Sequence, residues 1–209
     1  WNLNNRVGKV RFRPEAAKAA VAVGADLFVF TEFYPRNSEE RFRAELELAG
    51  WNYNMISPES TEAANRILIA SRIPLSPLDI EVPSFDQQFP SNVLGVMLPS
   101  IDLVILGIRI PAYKGNASPL LFKAWQWLEA TATDLKGRPA VILGDLNIST
   151  ASRDKPAYKS FRRILSDGWY RAEPPEKATY FSKSGYISEI DHIMATNYCV
   201  ISNPKVIKQ

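Results

Sequence analysis

The chain has 209 residues, 46% of them hydrophobic, which suffices for one domain with a sizeable core or for two small ones. Its net charge of +3 is too small to establish a nucleic-acid partner and does not oppose a phosphate-bearing one. A lone cysteine, Cys199, excludes an internal disulfide and leads us to expect a cytoplasmic protein, while a lone histidine, His192, excludes His-rich metal sites and leaves any metal to oxygen ligands, favouring Mg²⁺ or Mn²⁺ over Zn²⁺.

The opening Trp1-Asn2-Leu3-Asn4-Asn5 reads as a strand end running into a polar turn, with Asn2 and Asn4 on one face. Because the first residue is Trp rather than Met, a missing N-terminus is expected. Arg6, Lys9, Arg11 and Arg13 form either a solvated face or a phosphate-steering patch. Residues 14–23 are Ala-rich and predict a helix stopped by Gly24. Residues 25–30 predict a buried strand that ends in Thr31-Glu32, where a carboxylate must be solvated or paired with a cation.

Residues 37–48 predict an amphipathic helix opened by Asn37 and Glu40 at capping-box spacing, with Phe42, Leu46 and Ala49 on its core face. Strands are expected at 51–56, 67–71 and 93–98, with loops at 57–66 and 85–90. The run 103–111 is a strong strand carrying Arg109 near its end. That cation either snorkels from the sheet or grips a phosphate through its fork of donors. Ser118-Pro119 opens a helix to about 135, Ser as cap and Pro in the first turn, with Trp125 and Leu128 inward and Gly137 as its stop.

Residues 140–143 form a short apolar run bounded by Pro139 and Gly144, as a buried strand should be. Gly144, Asp145 and Asn147 follow directly, at the strand end where α/β folds place their chemistry. On an extended backbone Asp145 and Asn147 would point the same way: one could orient a water, the other donate to a phosphate oxygen. The plainer reading is a strand ending in an Asp/Asn turn. Asp154 with Pro156 begins a helix to about 166 whose Lys159, Arg162 and Arg163 form a solvated face. Strands follow at 179–181 and 187–195, the second placing Asp191 among Ile190, Ile193 and Met194, where a charge needs a partner. His192, next to Asp191, faces the opposite side of the strand and reads as a packed structural residue. No repeat, linker or low-complexity tract breaks the chain, and no apolar run reaches membrane-spanning length. We therefore expect one domain over 1–209, clipped at both ends.

Taken in order, Trp1-Asn2-Leu3-Asn4, Thr31-Glu32, Gly144-Asp145-Leu146-Asn147 and Ser188-Glu189-Ile190-Asp191 resemble the endonuclease/exonuclease/phosphatase (DNase I-like) family. The resemblance implies an α/β fold, a four-layer α/β/β/α sandwich of two mixed β-sheets with outer helices. It also implies a Mg²⁺- or Mn²⁺-dependent phosphoesterase cleaving its ester by direct attack of water. Glu32 resembles the metal-binding carboxylate, with Asn2 as a second ligand or orienting group. Asp145 resembles the residue that orients or deprotonates the water, and Asn147 the one that steadies phosphate and nucleophile. Asp191 resembles the aspartate that partners a catalytic histidine. Physically, phosphodiester hydrolysis needs a positioned water, a cation on the developing charge and donors to the non-bridging oxygens.

Three departures stand out. Asn4 occupies a position where some family nucleases carry Asp. Arg109 stands where relatives place a His or Tyr facing the phosphate; it can bind an anion but cannot act as a general acid at neutral pH. The family's final Ser-Asp-His segment is absent, and we expect it within roughly two dozen residues beyond Gln209. The favoured reading is a nuclease acting as a monomer on a phosphoester substrate, DNA or RNA, with Asn2, Asp145, Asn147, Asp191 and Arg109 catalytic and Asn4, Arg109 and Asn147 binding substrate. The rival is a catalytically impaired member of the fold that binds a phosphorylated ligand or a protein.

Overall fold

A computed structural model describes residues 1–3, 14–34, 39–61, 64–113, 118–151, 155–181, 185 and 187–207. Asn4, the basic residues from Arg6 to Arg13, Asn37 and Asp154 therefore lie outside the described residues. The chain divides into two units, Trp1–Arg109 and Ile110–Gln209.

In the first unit, helix α1 (Pro14–Val23) buries Ala17 and Ala20, three apart on one face, and stops at Gly24 in the left-handed region (φ +65°). Strand β1 (Leu27–Phe33) and helix α2 (Glu39–Leu48) follow, the helix burying Phe42 and Leu46 at i, i+4. Strands β2 (Tyr53–Ile56) and β3 (Arg66–Ser71) complete an antiparallel sheet in the order β1-β3-β2. Strand β4 (Ser76–Pro77), β5 (Val93–Leu98) and β6 (Leu103–Arg109) form a second antiparallel run in chain order.

The two runs pack face to face inside this unit. A Cβ on Gly107 of β6 would lie 2.8 Å from Val29 Cγ1 and 2.9 Å from Ile67 Cγ2, so only glycine allows β6 to approach β1 and β3 this closely. Behind β1, Phe28, Phe30, Phe33, Phe42, Leu46 and Trp51 form an aromatic core, with Phe30 edge-on to Phe42 at 5.5 Å. β1 runs further than expected, through Thr31 and Glu32 to Phe33. The opening segment supplies the extra backbone partners: Leu3 N–H donates to Thr31 O and Thr31 N–H to Trp1 O, at 2.9 and 3.0 Å.

In the second unit, helix α3 (Pro119–Leu135) buries Trp125, Leu128 and Ala132, and helix α4 (Pro156–Ser166) buries Phe161 and Ile164. Trp125 meets Phe161 edge-on at 6.2 Å. Ser118 makes no side-chain cap on α3, contrary to expectation; its carbonyl instead takes the Phe122 N–H. Strand β7 (Ala140–Asp145), β8 (Trp169–Arg171) and β11 (Asp191–Thr196) pair antiparallel in the order β7-β11-β8, and β9 (Tyr180–Phe181) pairs with β10 (Ile187–Ser188). The single strand expected over 187–195 is broken at Glu189 and Ile190, where Glu189 turns to a charged partner. Strand β8 went unforeseen; its three residues are too few for alternation to register.

Candidate active site

The first cluster lies in the Trp1–Arg109 unit. Asn2 forms an isolated parallel bridge with Thr31, which places it next to Glu32. Glu32 sits at φ 54°, a left-handed conformation that costs a side chain of this kind about 1–2 kcal/mol, where the β1–β3 register shifts between Phe30 and Phe33. Bulges re-aim side chains, and strain of this sort collects at functional positions. The carboxylate is met by Arg109 at the end of β6: Nε and Nη2 both reach Oε1, at 3.0 and 2.9 Å. Both side chains are largely buried, 16% and 13% exposed.

Arg109 thus does not snorkel from the sheet, and in this state its fork is spent on Glu32. A third donor, Nη1, touches Asn92 Oδ1 at 3.3 Å, while Asn92 Nδ2 donates to Gln88 O at 2.7 Å. Asn92 is nearly fully buried and was missed in the sequence, where nothing marks it off from any loop asparagine.

The second cluster lies in the Ile110–Gln209 unit. Asp145, the last residue of β7, faces Asp191, the first of β11, across the ladder. Leu146 N–H donates to Ile190 O at 2.9 Å, making 146/190 a hydrogen-bonded pair and 145/191 the adjacent, closer, non-hydrogen-bonded pair. Two carboxylates so placed have Cβ atoms roughly 4.5–5.5 Å apart and repel unless a proton or cation joins them. Asp145 is only 2% exposed, which sharpens that requirement. Thr179 Oγ1 accepts both the Ile190 and Asp191 N–H groups at 3.0 Å and so fixes where β11 begins.

Asn147 is not extended, so it does not share a direction with Asp145 by alternation. It lies at φ 49°, and its N–H donates to Asp145 Oδ1 at 3.1 Å in an Asx turn. One amide hydrogen of its Nδ2 is held by Ile110 O at 2.8 Å, which orients the group and leaves the second hydrogen for an acceptor.

The residues after Asn147 are tied down by groups bracketing Asp191. His192 Nε2–H donates to Ile148 O at 2.8 Å, and the ring stands 4.9 Å from the Phe161 ring. Thr150 Oγ1 donates to Glu189 Oε2 at 2.7 Å, while Arg171 Nη1 bonds Glu189 Oε1 at 2.9 Å in a buried ion pair. His192 points away from the Asp145–Asp191 face, as its adjacency to Asp191 requires, and its buried Nδ1 has no hydrogen-bond partner among the described residues. Burial therefore holds its pKa below the usual histidine range, the Ile148 bond only partly opposing the shift. Glu189 was missed, though a glutamate between Ser188 and Ile190 in a strand-like run was a legible signal.

The residues expected from the sequence therefore fall into two groups, Asn2, Glu32 and Arg109 in the first unit and Asp145, Asn147 and Asp191 in the second. Among the described residues no group of three or more His, Cys, Asp or Glu side chains could hold a metal. Oxygen donors for a hard dication are nevertheless present at Glu32, whose Oε2 takes no hydrogen bond among the described residues, with Asn2 beside it.

A family model described as "Endonuclease/Exonuclease/phosphatase family" matches residues 1–207. The chain belongs to that family. Solved structures agree with the assignment. A 3′ phosphatase, NExo, from Neisseria, bound to product DNA hairpin, is 20% identical with a TM-score of 0.69, covering 91% of this chain and 84% of that one. An AP endonuclease from Archaeoglobus fulgidus is 17% identical, with a TM-score of 0.68 and the same coverage. TDP2 from Caenorhabditis elegans is 13% identical, with a TM-score of 0.64 over 94% of this chain and 62% of that one. No curated protein sequence matches. At these identities the likeness shows the fold, the family's DNase I-like α/β sandwich of two β-sheets with helices.

Proposed function

We propose that the protein is a Mg²⁺- or Mn²⁺-dependent phosphoesterase, and within that class an endo- or exonuclease. The observation that carries the reading is the second cluster: Asp145 and Asp191 face to face at adjoining strand ends, with the Asn147 amide held beside them. Asp145 orients the attacking water and takes its proton, and the free amide hydrogen of Asn147 binds a non-bridging phosphate oxygen as charge builds there. Asp191 sets the charge on that face and orients whichever donor serves the phosphate. A divalent metal held by Glu32 and Asn2 would supply neutralisation of the developing negative charge. Asn4 adds a substrate contact in this reading. Nucleic acid is favoured over other phosphoesters by the relatives, one of them bound to product DNA hairpin and another an AP endonuclease, and by the basic residues from Arg6 to Arg13.

Hydrolysis of a bis-aryl phosphodiester and of a labelled oligonucleotide, each with Mn²⁺ and then with excess chelator, tests the class. Metal-dependent turnover that falls in Asp145→Asn by about 10² to 10⁴ is the expected result. An Asp145→Asn protein retaining more than about a tenth of the wild-type rate removes Asp145 from the base role.

One observation favours a second reading, a phosphate-binding member of the fold without turnover. Glu32 already holds a cation of the chain's own, Arg109. Binding of an oligonucleotide with no cleavage under any divalent metal would establish that reading over the first.

A further inference from the structure

The pairing of Glu32 with Arg109 bears directly on how a metal could bind. Both guanidinium donors converge on Oε1, so half of the carboxylate is occupied and its charge is already balanced. The other oxygen, Oε2, takes no hydrogen bond among the described residues. A dication bound there would share one carboxylate with a guanidinium and stand within a few ångströms of a like charge, in a place too buried for water to screen well. A guanidinium does not yield by losing its proton. It can yield by moving: its Nη1 contact to Asn92 is long, at 3.3 Å, and a phosphate offers a guanidinium a two-point partner in place of a single carboxylate oxygen.

We propose that Arg109 is the resident counter-cation of Glu32 and makes metal binding conditional on an anionic phosphate. Without phosphate, Arg109 holds Glu32 and the dication binds weakly. With phosphate present, the fork transfers to its oxygens, the full carboxylate is released, and metal and phosphate bind in synergy. Arg109 thereby sets which anions the site answers to: a group with two or more charged oxygens can draw the fork away, and a neutral ester cannot. The inference rests on the metal reading of Glu32 given above and adds to it an order of events. It also reconciles a cation already paired to the metal-binding glutamate with an active enzyme.

The test counts free Mn²⁺ by electron paramagnetic resonance, with and without inorganic phosphate, corrected by a protein-free control. Wild type, Arg109→Gln, Arg109→Lys and Glu32→Gln are compared, each checked for folding by circular dichroism. Wild type is expected to bind Mn²⁺ weakly and to gain roughly tenfold in affinity, about 1.4 kcal/mol, when phosphate is added. Arg109→Gln is expected to bind Mn²⁺ about tenfold tighter than wild type without phosphate and to gain little from adding it. Arg109→Lys keeps the charge without the fork and should fall between the two.

Arg109→Gln binding no tighter than wild type, or keeping the full phosphate gain, overturns the proposal. If Arg109→Gln does not fold, wild type and Arg109→Lys decide: equal Mn²⁺ affinity with and without phosphate in wild type overturns it. Loss of Mn²⁺ in Glu32→Gln without tightening in Arg109→Gln defeats this inference and spares the metal reading. Unchanged Mn²⁺ binding in Glu32→Gln defeats both.

Discussion

His192 shows how a single residue can be active in the fold without touching the chemistry. Its ring is buried and neutral, and its lowered pKa gives stability a definite pH dependence. In the unfolded chain a histidine takes up a proton near pH 6.5, whereas the folded one does so only at lower pH. The unfolded state therefore binds more protons as pH falls, and stability is lost from about pH 6.5 down to the folded pKa, below which this residue adds nothing more. Denaturant unfolding at pH 7.5 and pH 5 should show that loss in wild type and a smaller one in His192→Gln; an equal loss in both would assign the pH effect elsewhere. Glu189 is a second such residue. Removing its carboxylate in Glu189→Ala leaves the buried Arg171 only the exposed Glu173 as a carboxylate partner, and a loss of about 3 kcal/mol, the low end of the range for a broken buried pair, is expected from thermal unfolding.

At the scale of elements, the strands were legible where apolar residues ran unbroken, as in β3, β5, β6 and β7, and their ends were not. The sequence located Glu32 and Asp145 next to strand ends because a charged residue abutting Phe-Val-Phe or Val-Ile-Leu is conspicuous. It did not reveal that β1 continues past Glu32, because the partners that extend it, Trp1 and Leu3, lie some 28 residues away, as the Leu3 and Thr31 numbering shows. Nor could alternation predict Asn147, whose backbone is left-handed and whose side-chain amide is held by the Ile110 carbonyl. Gly107 belongs to the same lesson: in the sequence it is an interruption of β6, and in the structure it is what lets two sheets meet. Gly107→Ala should cost about 1–3 kcal/mol in urea unfolding, since Val29 and Ile67 must both retreat. A neutral substitution would mean that the sheets have slack the packing does not display.

For the whole molecule, family and fold were readable from four short motifs in order, although each motif alone is weak. Substrate was not, because it depends on loops and charge distribution rather than on the shared strands. Salt separates the possibilities. If the protein works on a nucleic acid, its substrate affinity should fall steeply and linearly in a plot of log affinity against log salt, because each neutralised phosphate releases counterions. Measured between about 50 and 200 mM salt, where several phosphate contacts are worth orders of magnitude in affinity, a nearly flat line would point to a small phosphoester instead.

The chain contains one histidine, and that histidine is bonded to the carbonyl directly after Asn147. Within residues 1–209 this places a single spectroscopic label beside the candidate catalytic turn. Uniform ¹⁵N labelling of residues 1–209 would give one imidazole spin system, in which Nε2 carries hydrogen and Nδ1 does not. When a nucleotide or a metal docks and the turn shifts, that one signal is where the shift would be heard.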